Sequence, residues 1–320
     1  MCGISMIESR ICKDLGIKYP VFQGGMAWIA DAKLAAAVSN AGGLGIIAAM
    51  NMDGESLRAE IKKCRALTDK PFGVNVMLMS PYAEEVSDVV VEEHVPVLTT
   101  GAGNPAIYIK KWLAADIKVI PVVASVALAR MMEKRGAYAV VAEGCESGGH
   151  IGELTTMALV PEVASAVNIP VIAAGGIADG RGMAAAFMLG ACGVQMGTRF
   201  LVAEECSVHE NYKQRVLKAN DIDTMVTGRK TGHPVRALRS PFAREFARVE
   251  ALPETTPEQL EELGRGALRH AAIEGDDELG SYLCGQIASL VKEKMSAEEI
   301  ILDVCNGAEK LLSDAAKFVK

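Results

Sequence analysis

Imidazole gives and takes protons readily near neutral pH, and one of the five histidines stands in a run that leaves it sterically uncovered. That residue is His150, within Glu143-Gly144-Cys145-Glu146-Ser147-Gly148-Gly149-His150-Ile151-Gly152-Glu153. His94, His209, His233 and His270 lack such a setting, so His150 is the expected catalytic residue. Cys145 lies in the same run, but a buried, inert thiol is the commoner fate of a cysteine, and it is given no part in the chemistry. Two glycine turns have the make-up of a phosphate cradle: Ala173-Ala174-Gly175-Gly176-Ile177 and Gln195-Met196-Gly197-Thr198-Arg199-Phe200. Glycine lets backbone N–H groups approach phosphate oxygens, Thr198 can add a hydroxyl donor, and a following helix N-terminus adds positive potential. Gln23-Gly24-Gly25-Met26 offers small residues on which a flat ring could lie, with Met26 against it. Asn75 interrupts the apolar stretch Phe72 to Leu78, where a buried amide needs partners from a ring edge or from neighbouring backbone.

These residues fall at the ends of a repeating series. Short β-branched runs alternate with helical stretches over the first two-thirds of the chain, a rhythm that implies parallel strands joined by helical crossovers. The expected strands are Pro20 to Gln23, Leu44 to Ala48, Phe72 to Leu78, Val95 to Thr99, Lys118 to Val123, Tyr138 to Ala142, Pro170 to Ala174 and Gly193 to Gly197. Eight such units predict an α/β fold of the (β/α)₈ TIM-barrel type, whose site lies at the C-terminal strand ends and whose phosphate is held after the seventh and eighth strands. Asp31 opens an Ala-rich helix that stops at Ala41-Gly42-Gly43, and Asp179 opens another that ends near Gly190. Beyond Ala203 the pattern becomes charged, helix-prone and broken by Pro234, Pro241, Pro253 and Pro257. The expected division is a barrel over 1–205 and 290–320, with a small helical lobe over 206–289 for substrate or nucleotide.

Half of the 320 residues are hydrophobic and only 5% aromatic, which calls for a core of Ala, Val, Ile, Leu and Met. A net charge of -7 argues against nucleic acid as a partner. Eight cysteines without a Cys-x-x-Cys pair suggest neither a disulfide framework nor a zinc site, and no metal site is expected. Glu8, Arg10, Lys13 and Asp14 interrupt the N-terminus as a signal peptide would not allow, and no apolar run suits a membrane span, so the expected location is the cytoplasm. Arg229, Lys230, His233, Arg236 and Arg239 make the lobe locally basic, suited to an acidic carrier or a nucleotide phosphate, or simply to solvent.

Taken together, Phe22-Gln23-Gly24-Gly25-Met26-Ala27, Gly73-Val74-Asn75, Glu146 through Glu153, the two glycine turns, Gly232-His233-Pro234-Val235-Arg236 and Gly285-Gln286 resemble the nitronate monooxygenase-like (2-nitropropane dioxygenase-like) flavoprotein family. Within it the chain is similar to the flavin-dependent enoyl-acyl carrier protein reductase branch. The resemblance implies FMN held by Gly24, Gly25, Met26, Asn75, Glu143, Gly148, Gly149, Gly175, Gly176, Gln195, Gly197 and Thr198, with His150 facing the flavin. It implies NADPH or NADH as co-substrate, an enoyl thioester on acyl carrier protein as partner, a role in fatty-acid synthesis, and a homodimer. Some reductase members respond to a monovalent cation, for which this sequence shows no ligand set. Oxidising members usually carry Arg after Gly-Gly-His, whereas this chain has Ile151, which favours the reductase over its nearest alternative, a nitronate monooxygenase. Ser240 stands where the family pattern has Asn a few residues after Val235-Arg236.

Overall fold

The computed structural model describes residues 7 and 9–319; Cys2 and Glu8 lie outside the described residues. The described residues form eleven strands: β1 (Val21–Gln23), β2 (Gly45–Ala48), β3 (Phe72–Met77), β4 (Val97–Gly101), β5 (Lys118–Val123), β6 (Val140–Glu143), β7 (Gly149–His150), β8 (Val171–Ala174), β9 (Gly193–Met196), β10 (Thr224–Thr227) and β11 (Val235–Leu238). Eight of them pair in parallel in the order β1-β9-β8-β6-β5-β4-β3-β2. The ring shuts between β1 and β2, where the Leu44 N–H donates to Val21 O at 2.9 Å and the Gln23 N–H donates to Leu44 O at 3.0 Å. The wholly buried Gln23 side chain reinforces this short seam: its Oε1 accepts the Ile46 N–H at 3.1 Å and its Nε2 donates to Ile46 O at 3.3 Å. The result is a (β/α)₈ barrel, and each of the eight expected barrel strands is present with bounds displaced by at most two residues.

The period-two alternation of a strand sorts its side chains into two cores. Phe22, Leu44, Ile46, Val97, Ile120, Val141 and Ile172 fill the barrel interior, and Ile11, Leu15 and Ile17 from the N-terminal segment plug its floor. Val21, Val140, Val171 and Val194 face outward against the helices, as do Val74, Val76 and Leu98 on the other side of the ring. Asp31 and Asp179 cap their helices as expected, accepting the backbone N–H groups of Leu34 and Arg181.

The chain leaves the barrel after β9 and returns as the helix Ala297–Ser313, which packs against both Gly180–Met188 and Ala32–Asn40 and so supplies the eighth helix of the outer ring. The lobe is therefore an insertion at the C-terminal rim. It contains the expected helices, including Glu210–Leu217, Pro241–Glu250 and Pro257–Gly264, and also a hairpin, β10 with β11. The hairpin is a finding beyond the helical reading: its first strand is only partly buried and its second buries Arg236 along with Ala237 and Leu238, so neither shows a clear apolar alternation. Its second strand pairs antiparallel with β7, which joins lobe and barrel loop in one three-stranded sheet. Core packing is continuous across the junction, through Tyr212, Val216, Leu238, Ala271 and Tyr282.

Candidate active site

A cavity of about 450 Å³ opens at the C-terminal ends of the barrel strands, and it is lined by His150 and by all twelve residues that the family resemblance assigns to FMN. Strand parity explains most of the set. In β3, Phe72, Val74 and Val76 point outward, so Asn75 and Met77 turn inward at the rim. By the same alternation β6 directs Val141 and then Glu143 to the interior, and β9 directs Gln195 and then Gly197. Gly25 packs so closely on Asn75 that a Cβ there would lie 2.4 Å from the Asn75 Cβ, and a Cβ on Gly24 would crowd Gln195 at 3.2 Å. Asn75 Nδ2 donates to Thr99 Oγ1 at 2.9 Å, which orients the amide at the cavity wall.

At the opposite side, Gly175 and Gly176 end β8 with φ of +86° and +72°, a left-handed pair that only glycine adopts cheaply. A Cβ on Gly176 would approach nothing closer than 3.6 Å, and one on Gly197 would meet only Met26, Sδ being nearest at 3.6 Å. Backbone at both places thus faces open cavity rather than packed neighbours. The Thr198 hydroxyl oxygen accepts the Gly285 N–H at 2.9 Å, which leaves its own proton to donate. The helix that starts at Thr198 has only four residues, so the dipole contribution expected from it is that of a single turn.

His150 is carried by β7 rather than by a barrel strand. The Gly148–Glu153 segment is held from the lobe side: Val235 faces His150 across the sheet, the Ile151 N–H donates to Pro234 O at 3.0 Å, and Arg236 Nε donates to Cys145 O at 3.1 Å. Gly148 lies against the Cys284–Gly285 backbone, where a Cβ would come within 2.5 Å of Cys284 C. The Tyr212 hydroxyl in turn anchors that segment by donating to Leu283 O at 2.7 Å. On the barrel side the root of the loop is fixed by the Glu146 carboxylate, which accepts the Thr156 N–H at 3.0 Å. Loss of hydration, and then the neighbouring His233, hold the His150 imidazole below the usual histidine range. His233, set aside in the sequence as lacking a chemical setting, is thereby brought to the site: its ring lies edge-on to His150 with centroids 6.4 Å apart. Glu146, Ser147, Leu283 and Cys284 are further lining residues to which sequence reasoning gave no role. The basic loop is partly committed, with Arg229 paired to Glu153 at 3.1 Å and Lys230 Nζ donating to Leu252 O at 2.8 Å.

Glu143 is the unusual acid of the cavity. Among the described residues no cation acts on it, and burial pushes its carboxyl up to about 7, against a smaller lowering from Ser147. The Ser147 hydroxyl oxygen is itself buried without a partner in hydrogen-bonding geometry among the described residues.

The description nitronate monooxygenase belongs to a family model that matches residues 8–93 and 80–307. A Mycobacterium tuberculosis protein named (3aS,4S,5R,7aS)-5-hydroxy-7a-methyl-1-oxo-octahydro-1H-indene-4-carboxyl-CoA dehydrogenase is 35% identical, over 98% of this chain and 99% of its own. The chain belongs to the nitronate monooxygenase family. A probable nitronate monooxygenase of Staphylococcus saprophyticus is 33% identical over 96% of this chain and 99% of its own. Among solved structures, FabK from Thermotoga maritima is similar at 52% identity with a TM-score of 0.96, over 98% of this chain and all of that one. Nitronate monooxygenase-family proteins of this kind are flavin-dependent oxidoreductases, and this chain is an oxidoreductase. The cavity suits the FMN that the family implies: the open glycine backbone at 176 and 197 and the free Thr198 proton are the donors and the room that a phosphorylated ring needs.

Proposed function

We propose that this enzyme is an FMN-dependent enoyl-thioester reductase that draws on NADPH or NADH and acts on the trans-2-enoyl group of acyl carrier protein, in the last step of the fatty-acid elongation cycle. The likeness to FabK along 98% of the chain carries the reading. The geometry supports it: an uncovered imidazole stands over a glycine-lined cavity with donors suited to a phosphate at one side.

In this reading Gly175, Gly176, Gly197 and Thr198 hold the phosphate, while Gly24, Gly25, Met26, Asn75, Glu143, Gly148, Gly149 and Gln195 surround the ring. FMN, when bound, supplies hydride transfer between the nicotinamide and the β-carbon of the thioester. His150 supplies the proton for the adjacent carbon, or stabilises the enolate that precedes it. Met77, Leu268 and Leu283 give the acyl group an apolar wall, and the basic lobe loop meets the acidic carrier. The division into a barrel of 1–205 and 290–320 with a lobe of 206–289, the homodimer and the cytoplasmic location belong to the same proposal. Among the described residues no helix is long and apolar enough to cross a membrane.

The names of the Staphylococcus relatives favour a second reading, nitronate oxidation, in which His150 removes a proton from an acidic carbon and oxygen takes the electrons. Purified enzyme with crotonyl thioester should oxidise NADPH or NADH in step with thioester loss. Nicotinamide-independent oxygen uptake with an alkyl nitronate, and no thioester reduction, would establish the second reading instead.

A further inference from the structure

We propose that His233 is the proton relay of His150, a second imidazole that recharges the first from solvent; this rests on the reading of His150 as proton donor to a thioester. The lobe sheet makes the two rings neighbours. Val235 pairs with His150, Pro234 O accepts the Ile151 N–H at 3.0 Å, and His233 comes immediately before that pair. The ring centroids are 6.4 Å apart and the planes meet at 78°. That spacing is too long for a direct hydrogen bond and leaves room for a bridging water.

Neither ring is committed elsewhere. Among the described residues no side chain bonds or ion-pairs with the imidazole of His150 or His233, whereas His209 and His270 are both occupied, by the Asn211 N–H and by Glu274. The charges around the pair are turned away from it. Arg229 is paired with Glu153, Arg236 donates to Cys145 O and Thr224 Oγ1, and Glu146 accepts from Thr156. His150 lines the cavity and His233 lies outside that lining, both exposed; a thioester seated in the cavity would cover His150 and leave His233 to water.

The reaction creates the need for such a pair. Reduction of one enoyl double bond consumes one hydride, which leaves the nicotinamide oxidised, and one solvent proton. When His150 delivers that proton, an N–H bond breaks and a C–H bond forms at the α-carbon. His150 then recovers a proton from protonated His233 across the intervening water, and His233 regains its own from bulk solvent or buffer. Two imidazolium ions at this distance repel, so the pair carries one proton and passes it inward rather than storing two. The depressed proton affinity of His150 agrees with a ring that is neutral at rest and loaded within the cycle.

The test uses the FMN-loaded His233→Asn enzyme with crotonyl thioester and saturating NADPH or NADH in dilute buffer. The expected result is a fall in kcat of about tenfold, short of the 10²- to 10⁴-fold of a direct proton donor, with KM little changed. Added imidazole should restore kcat in a saturable way, and bleaching of the bound flavin by NADPH or NADH alone should keep its wild-type rate. His233→Gln should behave alike, and the visible flavin spectrum reports whether each variant is folded. An unchanged kcat, a loss that imidazole leaves in place, or slowed flavin bleaching overturns the relay. Wild-type enzyme that bleaches with nicotinamide yet ignores the thioester overturns the reductase reading as well, and that result needs no variant to see it.

Discussion

Glu143 and His150 face the same cavity and are both pushed toward their neutral forms, the carboxyl by burial and the imidazole by lost hydration and His233. For Glu143 the sign of the linkage is set by a raised native value. Between its ordinary 4.5 and about 7 the folded protein retains a proton that the unfolded chain releases, so folding stability falls as pH rises through that window and levels off above it. At 1.36 kcal/mol per unit the loss amounts to roughly 3 kcal/mol for the flavin-free protein. Glu143→Gln removes this contribution, so its stability advantage over wild type should grow by about that amount between pH 5 and pH 8 in urea denaturation. Parallel wild-type and variant curves would show that the carboxyl is ionised throughout. For His150 the expectation is chemical: His150→Ala should keep the absorption bands of bound FMN while thioester reduction drops by about 10²- to 10⁴-fold. Full reduction by that variant would remove the imidazole from the mechanism.

The contact between the helices Gly180–Met188 and Ala297–Ser313 is made backbone to backbone where Gly180 meets Gly307 and Ala308. A Cβ on Gly180 would lie 2.4 Å from Gly307 C and Ala308 N, whereas one on Gly307 would still stand 3.3 Å from Gly180 Cα. Gly180→Ala should therefore destabilise by about 1–3 kcal/mol through overpacking. Gly307→Ala should be close to neutral, since a mid-helix alanine recovers roughly 1 kcal/mol of helix propensity. Equal effects in thermal unfolding would contradict the asymmetry. At the hairpin junction, Arg236→Ala leaves Cys145 O without its donor and loosens the segment that bears His150. Its expected signature is a lower kcat with FMN retained, read by turnover and by the flavin spectrum. The eight barrel strands were legible because each is a β-branched run ended by glycine, proline or a polar turn, and parity along them places Asn75 inside without any coordinates. The same parity would have marked Glu143 independently of family resemblance. The hairpin was not legible, because its strands are short, one half-buried and the other burying an arginine, and neither was the two-residue strand of His150. The nearness of His233 is a contact across more than eighty residues, which local pattern cannot encode.

For the molecule as a whole, ion pairs decorate rather than hold the fold. The most enclosed of those described, Arg58 with Glu93, still leaves the arginine side chain 34% exposed. Raising sodium chloride from 0.05 to about 0.5 M should accordingly move folding stability by less than about 1 kcal/mol, a bound that urea titrations at the two concentrations would check. Stability comes instead from the aliphatic interior and from the helix ring around it, and one member of that ring is set apart. The helix Ala297–Ser313 buries Ile300, Ile301, Val304 and Cys305 against its neighbours, yet it follows the last barrel strand only after the entire lobe. A nascent chain on the ribosome therefore displays a greasy trough between two finished helices until the stretch past residue 313 has emerged. Completion of the strands is therefore not enough to seal this barrel: its outer wall closes only when a segment from beyond the lobe folds back between helices made more than a hundred residues earlier.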